Sequence, residues 1–367
     1  MSSNENIRVM ISGGGTGGHI FPAIAIAKAI QRKMPLAEFL FVGAQGKMEM
    51  EKIPEAGFKI EGLWISGFQR SLSLKNLSFP FKLVSSLMKA KTIIKNFKPQ
   101  VVIGVGGFAS GPTLRVASNM GIPCLIQEQN SYPGVTNKLL ANKVKSICVA
   151  YEGMDKFFPK EKIKLTGNPI RKQVTEGNKN EALEFFKLDK AKKTILVVGG
   201  SLGAQSVNLA IAGEIENWAK LDAQVIWQTG KTTFEESKTA LENSAAKNIH
   251  IYDFIRRMDL AYAAADLIIS RAGAIAISEI SAVGKPVIFV PFPFAAENHQ
   301  TKNAQKLVDH QAAKLIADNK VSEELFQTTA DCLANEGLLK SMEKEIKKLG
   351  VLNADDIIAD EVIKLIS

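Results

Sequence analysis

A glycine-rich turn lies between an apolar strand-like run and an apolar helical run in each half of the chain. The first turn, residues 13–18, reads Gly-Gly-Gly-Thr-Gly-Gly, and the second, residues 199–205, reads Gly-Gly-Ser-Leu-Gly-Ala-Gln. Such turns let a backbone approach a phosphate closely, and they direct the unpaired N–H groups of a helix N-terminus towards it. Their repetition predicts two similar α/β domains that face each other across a cleft, with an anionic ligand between them.

Apolar strand-like runs alternate with helical patterns along the whole chain, which is typical of doubly wound parallel sheets. Helices are predicted at residues 22–33, where Pro22 suits a first turn, and at 206–220. Turn-forming residues at 164–171 divide the chain into an N-terminal domain, 1–168, and a C-terminal domain, 169–352. The sequence leaves open which domain receives the amphipathic helix at 353–367. The predicted strands are residues 9–12, 39–42, 101–105, 124–127, 146–150, 195–198, 225–228, 249–252, 267–269 and 287–290.

Basic residues are concentrated in the first half of the chain. Residues 1–168 carry a net charge of +12, the remainder carries −3, and no acidic residue lies between Glu61 and Glu128. This asymmetry predicts an acidic partner for the N-terminal domain. The hydrophobic content of 46% and charged content of 23% exclude a disordered chain, and no run is long enough to span a bilayer. We expect a cytosolic protein without a secretory signal, in which the three cysteines are free thiols.

The first turn formally fits the GxGxxG pattern of dinucleotide-binding domains. That pattern needs a carboxylate at the end of the second strand, about 20 residues further on. Here the second strand runs into Gln45 without one, so a nicotinamide cofactor is disfavoured. The motifs of metalloproteases, zinc sites, P-loop proteins and serine hydrolases are also missing from the sequence, and we expect no cofactor and no metal.

Further polar and glycine-rich segments follow other predicted strands of the N-terminal domain. His19 follows the first turn, a third glycine-rich turn spans 106–111, and a Gln-Glu-Gln-Asn run spans 127–130. Ligands of open α/β sheets bind outside the carboxyl ends of the strands. We therefore expect these segments to converge on one edge of the sheet. There His19 would act as a base or as a donor to the ligand, with a structural role as an equal alternative.

In the C-terminal domain, residues 270–279 predict a strand, a turn and a helix that contains Glu279. A carboxylate there can accept two hydrogen bonds from vicinal hydroxyls such as those of a ribose. The adjacent helix N-terminus favours a diphosphate. Helix ends and arginine, rather than a bound cation, are expected to neutralise it. A surface helix that contains Glu279 by chance is the alternative.

Residues 72–84 mix large apolar side chains with unbalanced lysine. This composition suits the surface of an anionic bilayer, at about 1 kcal/mol per basic residue. A core helix with a solvated lysine face is an equal alternative. Nucleic acid is disfavoured, because the phenylalanines lie beside leucines rather than forming a stacking platform. The residues of this predicted membrane patch are Leu72, Leu74, Lys75, Leu77, Phe79, Phe81 and Lys82.

Together these motifs resemble the MurG family of bacterial UDP-N-acetylglucosamine transferases, which convert lipid I into lipid II in peptidoglycan synthesis. The resemblance implies a GT-B architecture of two Rossmann-like domains, with the helix at 353–367 joining the first. It also implies attachment to the anionic cytoplasmic face of the inner membrane, which favours the membrane interpretation of residues 72–84, and cell-wall synthesis proteins as further partners. The segments that carry it, in the family's order and spacing, are residues 13–22, 104–112, 128–130, 167–171, 199–205, 270–279 and 291–304.

The resemblance also implies roles for individual residues. His19 is the candidate base for an inverting attack by the C4 hydroxyl of the lipid-linked N-acetylmuramic acid. Glu279 is expected on the ribose of the donor and the Ile255 backbone at its uracil. The family usually has threonine where this chain has Ala276, and we expect backbone amides to compensate. The expected acceptor-diphosphate contacts are Gly14, Gly15, Gly106, Gly107 and Ser110. The expected UDP-N-acetylglucosamine contacts are Thr16, Gly17, Gly18, Asn130, Arg171, Ser201, Ile255, Ala274, Ile275, Ala276, Ile277, Ser278, Glu279 and Gln300.

Three other functions are compatible with parts of the sequence. A UDP-sugar epimerase, or a GT-B transferase with a soluble acceptor, would share residues 270–279 but has no need for a lysine-rimmed apolar segment. A peripheral membrane or nucleic-acid-binding protein would use the basic half and would not need Glu279. A nicotinamide-dependent oxidoreductase is the least favoured.

Overall fold

The computed structural model describes residues 7–66, 79–200 and 203–366, and the chain divides into two compact units. The N-terminal unit runs to Ile170 and includes the last helix, while the C-terminal unit is Arg171–Leu352. Each unit contains one parallel sheet flanked by helices.

The strands are β1 (Arg8–Ser12), β2 (Glu38–Ala44), β3 (Lys59–Leu63), β4 (Val101–Gly104), β5 (Cys124–Glu128), β6 (Ser146–Val149), β7 (Ile163–Leu165), β8 (Lys193–Val198), β9 (Ala223–Gln228), β10 (Ile249–Tyr252), β11 (Leu267–Ser270), β12 (Val287–Phe289) and β13 (Lys314–Leu315). The helices are α1 (Gly17–Lys33), α2 (Glu49–Glu55), α3 (Phe79–Phe97), α4 (Ser110–Asn119), α5 (Val135–Leu140), α6 (Lys179–Phe185), α7 (Gln205–Gly213), α8 (Ile215–Ala219), α9 (Phe234–Glu242), α10 (Met258–Ala264), α11 (Ala274–Val283), α12 (His299–Asp309), α13 (Val321–Ala334), α14 (Glu336–Leu349) and α15 (Ala354–Ile366).

The sheet of the N-terminal unit has the strand order β3-β2-β1-β4-β5-β6-β7. β1 lies between β2 and β4, with Val9 in register with both Phe39 and Val101. The direction of strand addition reverses between β1 and β4. At such a switch point the connections leave towards opposite faces and open a crevice at the carboxyl ends of the strands. The turns that follow β1 and β4 flank that crevice.

The sheet of the C-terminal unit has the order β10-β9-β8-β11-β12-β13 and repeats this arrangement. Its first strand, β8, lies between β9 and β11, so the turns at 199–203 and 271–273 flank the equivalent switch point. Side chains of β8, β9 and β11 are almost all buried, as expected for parallel strands that are covered on both faces.

All ten strands predicted from the sequence are confirmed, with ends that differ by at most two residues. The sequence-based assignment missed β3, β7 and β13, each of which lies at an edge of its sheet. β7 overlaps the start of the segment predicted as a turn cluster, residues 164–171. Edge strands are half-exposed, and these three carry lysine or glutamate, so they lack the continuous apolar run that identifies the central strands.

Two helix predictions need correction. α1 begins at Gly17, so Pro22 lies in its second turn and not in its first. The helix predicted at 206–220 is two helices, α7 and α8, which meet at Glu214 with φ −117° and ψ 25°. Gly213 precedes that break, and glycine is a weak helix former.

The last helix, α15, packs against α1 and completes the N-terminal unit. Asp355 Oδ2 lies 2.7 Å from Arg32 Nη2 across the two helices. Ile358 and Val362 are fully buried in the core that contains β1. No helix in the described part of the chain is both long and apolar enough to cross a bilayer. All three cysteines are buried free thiols, as expected.

Candidate active site

The glycine-rich turns that follow β1 and β4 pack directly against each other. A Cβ atom on Gly107 would lie 2.3 Å from the carbonyl oxygen of Gly14, and one on Gly13 would lie 2.1 Å from the side chain of Val105. Gly107 also has a φ of +87°, a conformation that L side chains avoid. Both the contact and the backbone conformation require glycine here. The predicted convergence of these two turns is confirmed.

His19 lies in the first turn of α1, with its ring against the third glycine-rich turn. A Cβ atom on Gly106 would lie 2.7 Å from the imidazole Nε2. Thr16 Oγ1 lies 3.3 Å from Nδ1. When Nδ1 carries the proton and donates it to Thr16, Nε2 is the acceptor, which is the tautomer that a general base needs. The geometry suits a base, and that role stays a prediction.

A buried carboxylate beneath the first turn was not among the residues expected from the sequence. Glu49 is 1% exposed. Its Oε2 accepts a hydrogen bond from the N–H of Gly15 (2.8 Å), and its Oε1 accepts one from the N–H of Ala44 (3.0 Å). The N–H of Gly15, predicted to face a diphosphate, is therefore already used. The sequence does contain an acid shortly after β2. The dinucleotide-binding pattern, however, requires the acid at the strand end near Gln45, so Glu49 was not predicted.

A second buried carboxylate, Glu128 at the end of β5, holds the loop that contains Asn130. It accepts hydrogen bonds from the backbone N–H of Asn130 (3.0 Å) and from Nδ2 of Asn137 (2.8 Å). Burial raises the pKa of Glu128, and the hydrogen bonds partly oppose that effect. Gln129 Nε2 donates to the carbonyl of Val105 (2.8 Å) and so ties this loop to the third turn. The 127–130 segment thus lies at the predicted edge of the sheet.

Backbone N–H groups at the starts of two helices complete this edge. Gly17 and Gly18 open α1, and Ser110 opens α4. The Ser110 hydroxyl is buried, and it has no hydrogen-bond partner in the described part of the chain. Contact between Ser110 and a diphosphate would therefore use its backbone N–H rather than its side chain.

In the C-terminal unit, two residues predicted for the donor site form an ion pair with each other. Arg171 Nε donates to Glu279 Oε1 (2.9 Å) and Nη2 donates to Oε2 (3.1 Å). The Glu279 side chain is 5% exposed, whereas that of Arg171 is 41% exposed. Desolvation lowers the pKa of the Arg171 guanidinium, but the hydrogen bond and charge of Glu279 outweigh it and leave the pKa above its ordinary value. A paired carboxylate keeps lone pairs that can accept from a ribose hydroxyl.

Tyr262 supports this pair from α10 and was not predicted from the sequence. Its hydroxyl donates to Glu279 Oε2 at 3.4 Å. Burial, followed by the charge of Glu279, raises the pKa of Tyr262 well above its ordinary value. The tyrosine therefore stays a neutral donor to the carboxylate.

Glu279 projects from α11, whose N-terminus follows the turn after β11. Gly273 precedes the helix in an extended conformation, and no side chain caps it. The N–H groups of Ala274, Ile275 and Ala276 belong to the first turn, where no intrahelical acceptor exists, so they can bind an anion. Ser278 Oγ donates to the carbonyl of Ala274 (2.9 Å). Of the residues predicted at 274–279, Ala274, Ile277 and Glu279 are buried.

One side chain, Gln228 at the end of β9, links two segments that were predicted to bind UDP. Its Nε2 donates to the carbonyl of Gly200 (3.0 Å), and its Oε1 accepts from the N–H of Ile255 (2.8 Å). A uracil contact at Ile255 would therefore use the carbonyl and not the N–H. Ser201 lies outside the described residues.

Gln300, predicted to reach the sugar, lies in the first turn of α12. Its Oε1 accepts from the N–H of Phe292 (2.9 Å), so its Nε2 is the group oriented to donate to a ligand. Glu297 and Asn298, just before the helix, have φ values of 54° and 53°. Two successive non-glycine residues in this conformation are costly, and such strain is concentrated at functional sites.

The described part of the predicted membrane patch is an apolar face of α3. Phe81, Val84 and Met88 are 73%, 56% and 68% exposed, and they line a shallow groove of about 770 Å³ together with Lys89. Lys82 Nζ donates to Ser66 Oγ (3.0 Å). Phe79 begins the helix. Four other predicted residues, Leu72, Leu74, Lys75 and Leu77, lie outside the described residues.

Within the described ranges, no group of three or more His, Cys, Asp and Glu side chains is arranged to hold a metal ion.

The domain families match both halves of the chain. Residues 9–149 match the glycosyltransferase family 28 N-terminal domain, and residues 194–358 match the glycosyltransferase family 28 C-terminal domain. The chain is 52% identical over 364 residues to a Flavobacterium psychrophilum protein named UDP-N-acetylglucosamine–N-acetylmuramyl-(pentapeptide) pyrophosphoryl-undecaprenol N-acetylglucosamine transferase, with 99% of this chain and 98% of the relative covered. A Christiangramia forsetii protein with the same name is also 52% identical, with 99% of each chain covered.

Solved structures agree with this assignment. The crystal structure of Acinetobacter baumannii MurG is 30% identical, with a TM-score of 0.78 and coverage of 98% of this chain and 99% of that chain. A UDP-GlcNAc 2-epimerase from Neisseria meningitidis, 15% identical with a TM-score of 0.67 over 97% of this chain and 99% of that chain, shares the fold alone. The two parallel-sheet units are those of the GT-B fold class, and the chain belongs to glycosyltransferase family 28 and, within it, to the MurG family.

Proposed function

We propose that this glycosyltransferase moves N-acetylglucosamine from UDP-N-acetylglucosamine to the C4 hydroxyl of N-acetylmuramic acid in lipid I, forming lipid II. The observation that carries the proposal is the 52% identity to transferases so named, which runs through both units and 99% of the chain. A match confined to the C-terminal unit would support only a UDP-sugar site. Because the match also covers the N-terminal unit, the acceptor is proposed together with the donor.

The donor is proposed to bind on the C-terminal unit. The first-turn N–H groups of α11 receive the diphosphate, and Glu279 accepts from the ribose hydroxyls while Arg171 holds it in place. Gln300 Nε2 donates to the sugar, since its Oε1 is engaged by Phe292. Position 276 is alanine where the family usually has threonine, so the threonine hydroxyl is absent here. The backbone N–H of Ala276 remains to bind a phosphate oxygen.

Chemistry is proposed to proceed with inversion. The C4 oxygen of the acceptor bonds to C1 of the donor sugar while the bond from C1 to the UDP oxygen breaks. His19 Nε2 takes the hydroxyl proton, and Thr16 holds the required tautomer through Nδ1. The negative charge that develops on the departing UDP is stabilised by the α11 N-terminus, a preorganised electrostatic effect.

The exposed apolar face of α3 is proposed to hold the enzyme on the anionic cytoplasmic face of the inner membrane, where lipid I is presented. Changing Phe81 and Met88 together to serine removes large apolar side chains that are mostly exposed, so the fold should be retained. Co-sedimentation with phosphatidylglycerol vesicles should fall at least tenfold. Phe185→Ser removes a 54% exposed phenylalanine from α6 in the C-terminal unit and should have no effect. Equal loss in both proteins would contradict the assignment of this face.

The donor proposal is tested by calorimetric titration of UDP-N-acetylglucosamine into wild type, Glu279→Gln and Glu184→Gln. Glu184 is an exposed glutamate on α6 of the same unit. Hydrogen bonds to a charged group are worth about 1.5–3 kcal/mol, so Glu279→Gln should weaken binding by about 10–150-fold while Glu184→Gln binds normally. Turnover of lipid I is then measured with the same proteins. A wild-type protein that binds no UDP-sugar would refute the proposal. Epimerisation of the donor in the absence of an acceptor would also refute it and would indicate a UDP-sugar epimerase.

A further inference from the structure

We infer that Glu49 is a positioning residue for the acceptor side of the site, whose buried carboxylate fixes the first glycine-rich turn so that His19 meets the third turn. The inference rests on the proposed function, because it assigns a role in that reaction. It goes beyond it because Glu49 lies below the turn and is not proposed to touch either substrate.

The contacts of Glu49 explain why this position holds a carboxylate. Two N–H groups from different segments, those of Gly15 and Ala44, each donate to a different oxygen of the same side chain. A carboxylate offers two acceptor oxygens, whereas an amide offers one oxygen and an NH₂ group that would face the second donor. No lysine, arginine or histidine of the described residues forms an ion pair with Glu49. Burying such a charge is costly, which indicates a requirement beyond filling space.

The contacts that lead from Glu49 to His19 run through the backbone of the two glycine-rich turns. A Cβ atom on Gly14 would lie 2.3 Å from Glu49 Oε1, and a Cβ atom on Gly107 would lie 2.3 Å from the carbonyl oxygen of Gly14. Gly14 is thus held between the carboxylate and the third turn. The neighbouring Gly106 supports the His19 ring. A displacement of the first turn would therefore shift the His19 imidazole, with which the acceptor hydroxyl must be aligned.

Glu49 also changes where an acceptor diphosphate can bind. The N–H of Gly15 points to the carboxylate, and a buried negative charge beneath Gly14 and Gly15 disfavours an anion on that limb of the turn. An acceptor diphosphate therefore cannot use the N–H of Gly15 while Glu49 accepts from it.

The test compares Glu49→Gln with Glu51→Gln, which changes an exposed glutamate on the same helix. Lipid I turnover with UDP-N-acetylglucosamine gives kcat and both KM values, and hydrogen–deuterium exchange follows the peptide that contains Gly15. Because a misplacement of about 1 Å can cost about 100-fold, Glu49→Gln should lower kcat by about that factor. The donor KM should change less than about twofold, since the donor binds the other unit. The Gly15 amide should exchange at least about tenfold faster, as expected once its hydrogen bond is lost.

A second variant approaches the same contact from the opposite side. Gly107→Ala places a methyl group against the Gly14 carbonyl, while Gly121→Ala, at a φ of +76° with no atom within 4 Å of its Cβ, controls for backbone strain. Gly107→Ala should lower kcat as Glu49→Gln does, and the double variant should lose little more than either one. Additive losses would overturn the inference, as would unchanged kcat or unchanged Gly15 exchange in Glu49→Gln. A fall in kcat that is fully explained by a smaller fraction of folded protein in the variant would also overturn the inference.

Failure of the proposed function has a different signature. A wild type that makes no lipid II refutes the transferase assignment, whatever Glu49 does. In that case the exchange of the Gly15 amide still decides whether Glu49 holds the turn. Normal wild-type turnover with a fully active Glu49→Gln overturns the positioning role alone.

Discussion

The Arg171–Glu279 ion pair should respond very differently to the loss of each partner. Arg171→Met removes the cation and leaves a carboxylate that is 5% exposed, with only the Tyr262 hydroxyl at 3.4 Å as a described hydrogen-bond donor. Glu279→Gln removes the buried charge and leaves a guanidinium that is 41% exposed and can turn towards water. The first variant leaves a buried charge unpaired, and the second does not.

The expected magnitudes follow from this difference in burial. Removing one partner from a buried pair costs about 3–5 kcal/mol, and the partial exposure of Arg171 places Arg171→Met near about 3 kcal/mol. Glu279→Gln keeps one acceptor oxygen and should cost about 1 kcal/mol. At about 2–4 °C per kcal/mol for a unit of this size, the melting temperature should fall by about 6–12 °C in the first variant and about 2–4 °C in the second.

The assay is thermal and urea unfolding followed by tryptophan fluorescence, because Trp218 and Trp227 are buried in the core of the C-terminal unit. A Glu279→Gln protein as unstable as Arg171→Met would refute the burial argument.

Three further perturbations test other parts of the structure. Gly106→Ala would place a Cβ atom 2.7 Å from the Nε2 of His19, so kcat should fall about 100-fold with unchanged UDP-N-acetylglucosamine affinity; equal losses in Gly121→Ala would assign the effect to backbone strain. Burial raises the pKa of Glu128 above its ordinary 4.5, so the folded state binds its proton more tightly than the unfolded state. The free energy of unfolding in urea should therefore decline as pH rises through and above 4.5, and it should decline more steeply in wild type than in Glu128→Gln. The same pH dependence of this free energy in both proteins would contradict the argument. Asp355→Asn should weaken the ion pair between α15 and α1 and lower the unfolding free energy by about 1 kcal/mol, and no change in urea midpoint would show that the buried apolar face of α15 suffices.

The central strands and the turns that follow them were predictable because their signals are local. A buried parallel strand needs an apolar run, and a turn at its carboxyl end that contacts other backbone needs glycine, as at Gly107. A parallel sheet then places the strand ends on one edge without any further information. The edge strands β3, β7 and β13 could not be found in this way, because one side of each is solvated and its sequence has the composition of a loop.

The partners within the site were not predictable from the same signals. Arg171 and Glu279 were each expected to contact the donor, but their mutual pairing joins residues 108 positions apart. Tyr262 reaches the pair from a helix whose sequence is otherwise that of a core element. A single sequence records which residue types are present but not which distant side chains meet, so these contacts depend on the tertiary structure.

The glycine-rich turns after β1 and β8 are each held by a polar side chain that lies at or shortly after the end of the second strand of the same unit. Glu49 follows β2 and accepts from Gly15, while Gln228 ends β9 and donates to the carbonyl of Gly200. Glycine has no side chain with which to fix such a turn, and its backbone freedom must be restrained from outside. In dinucleotide-binding folds the end of the second strand carries the acid that binds ribose. Here that region anchors the turn instead, and the ribose contact is proposed to come from Glu279 on α11 of the C-terminal unit.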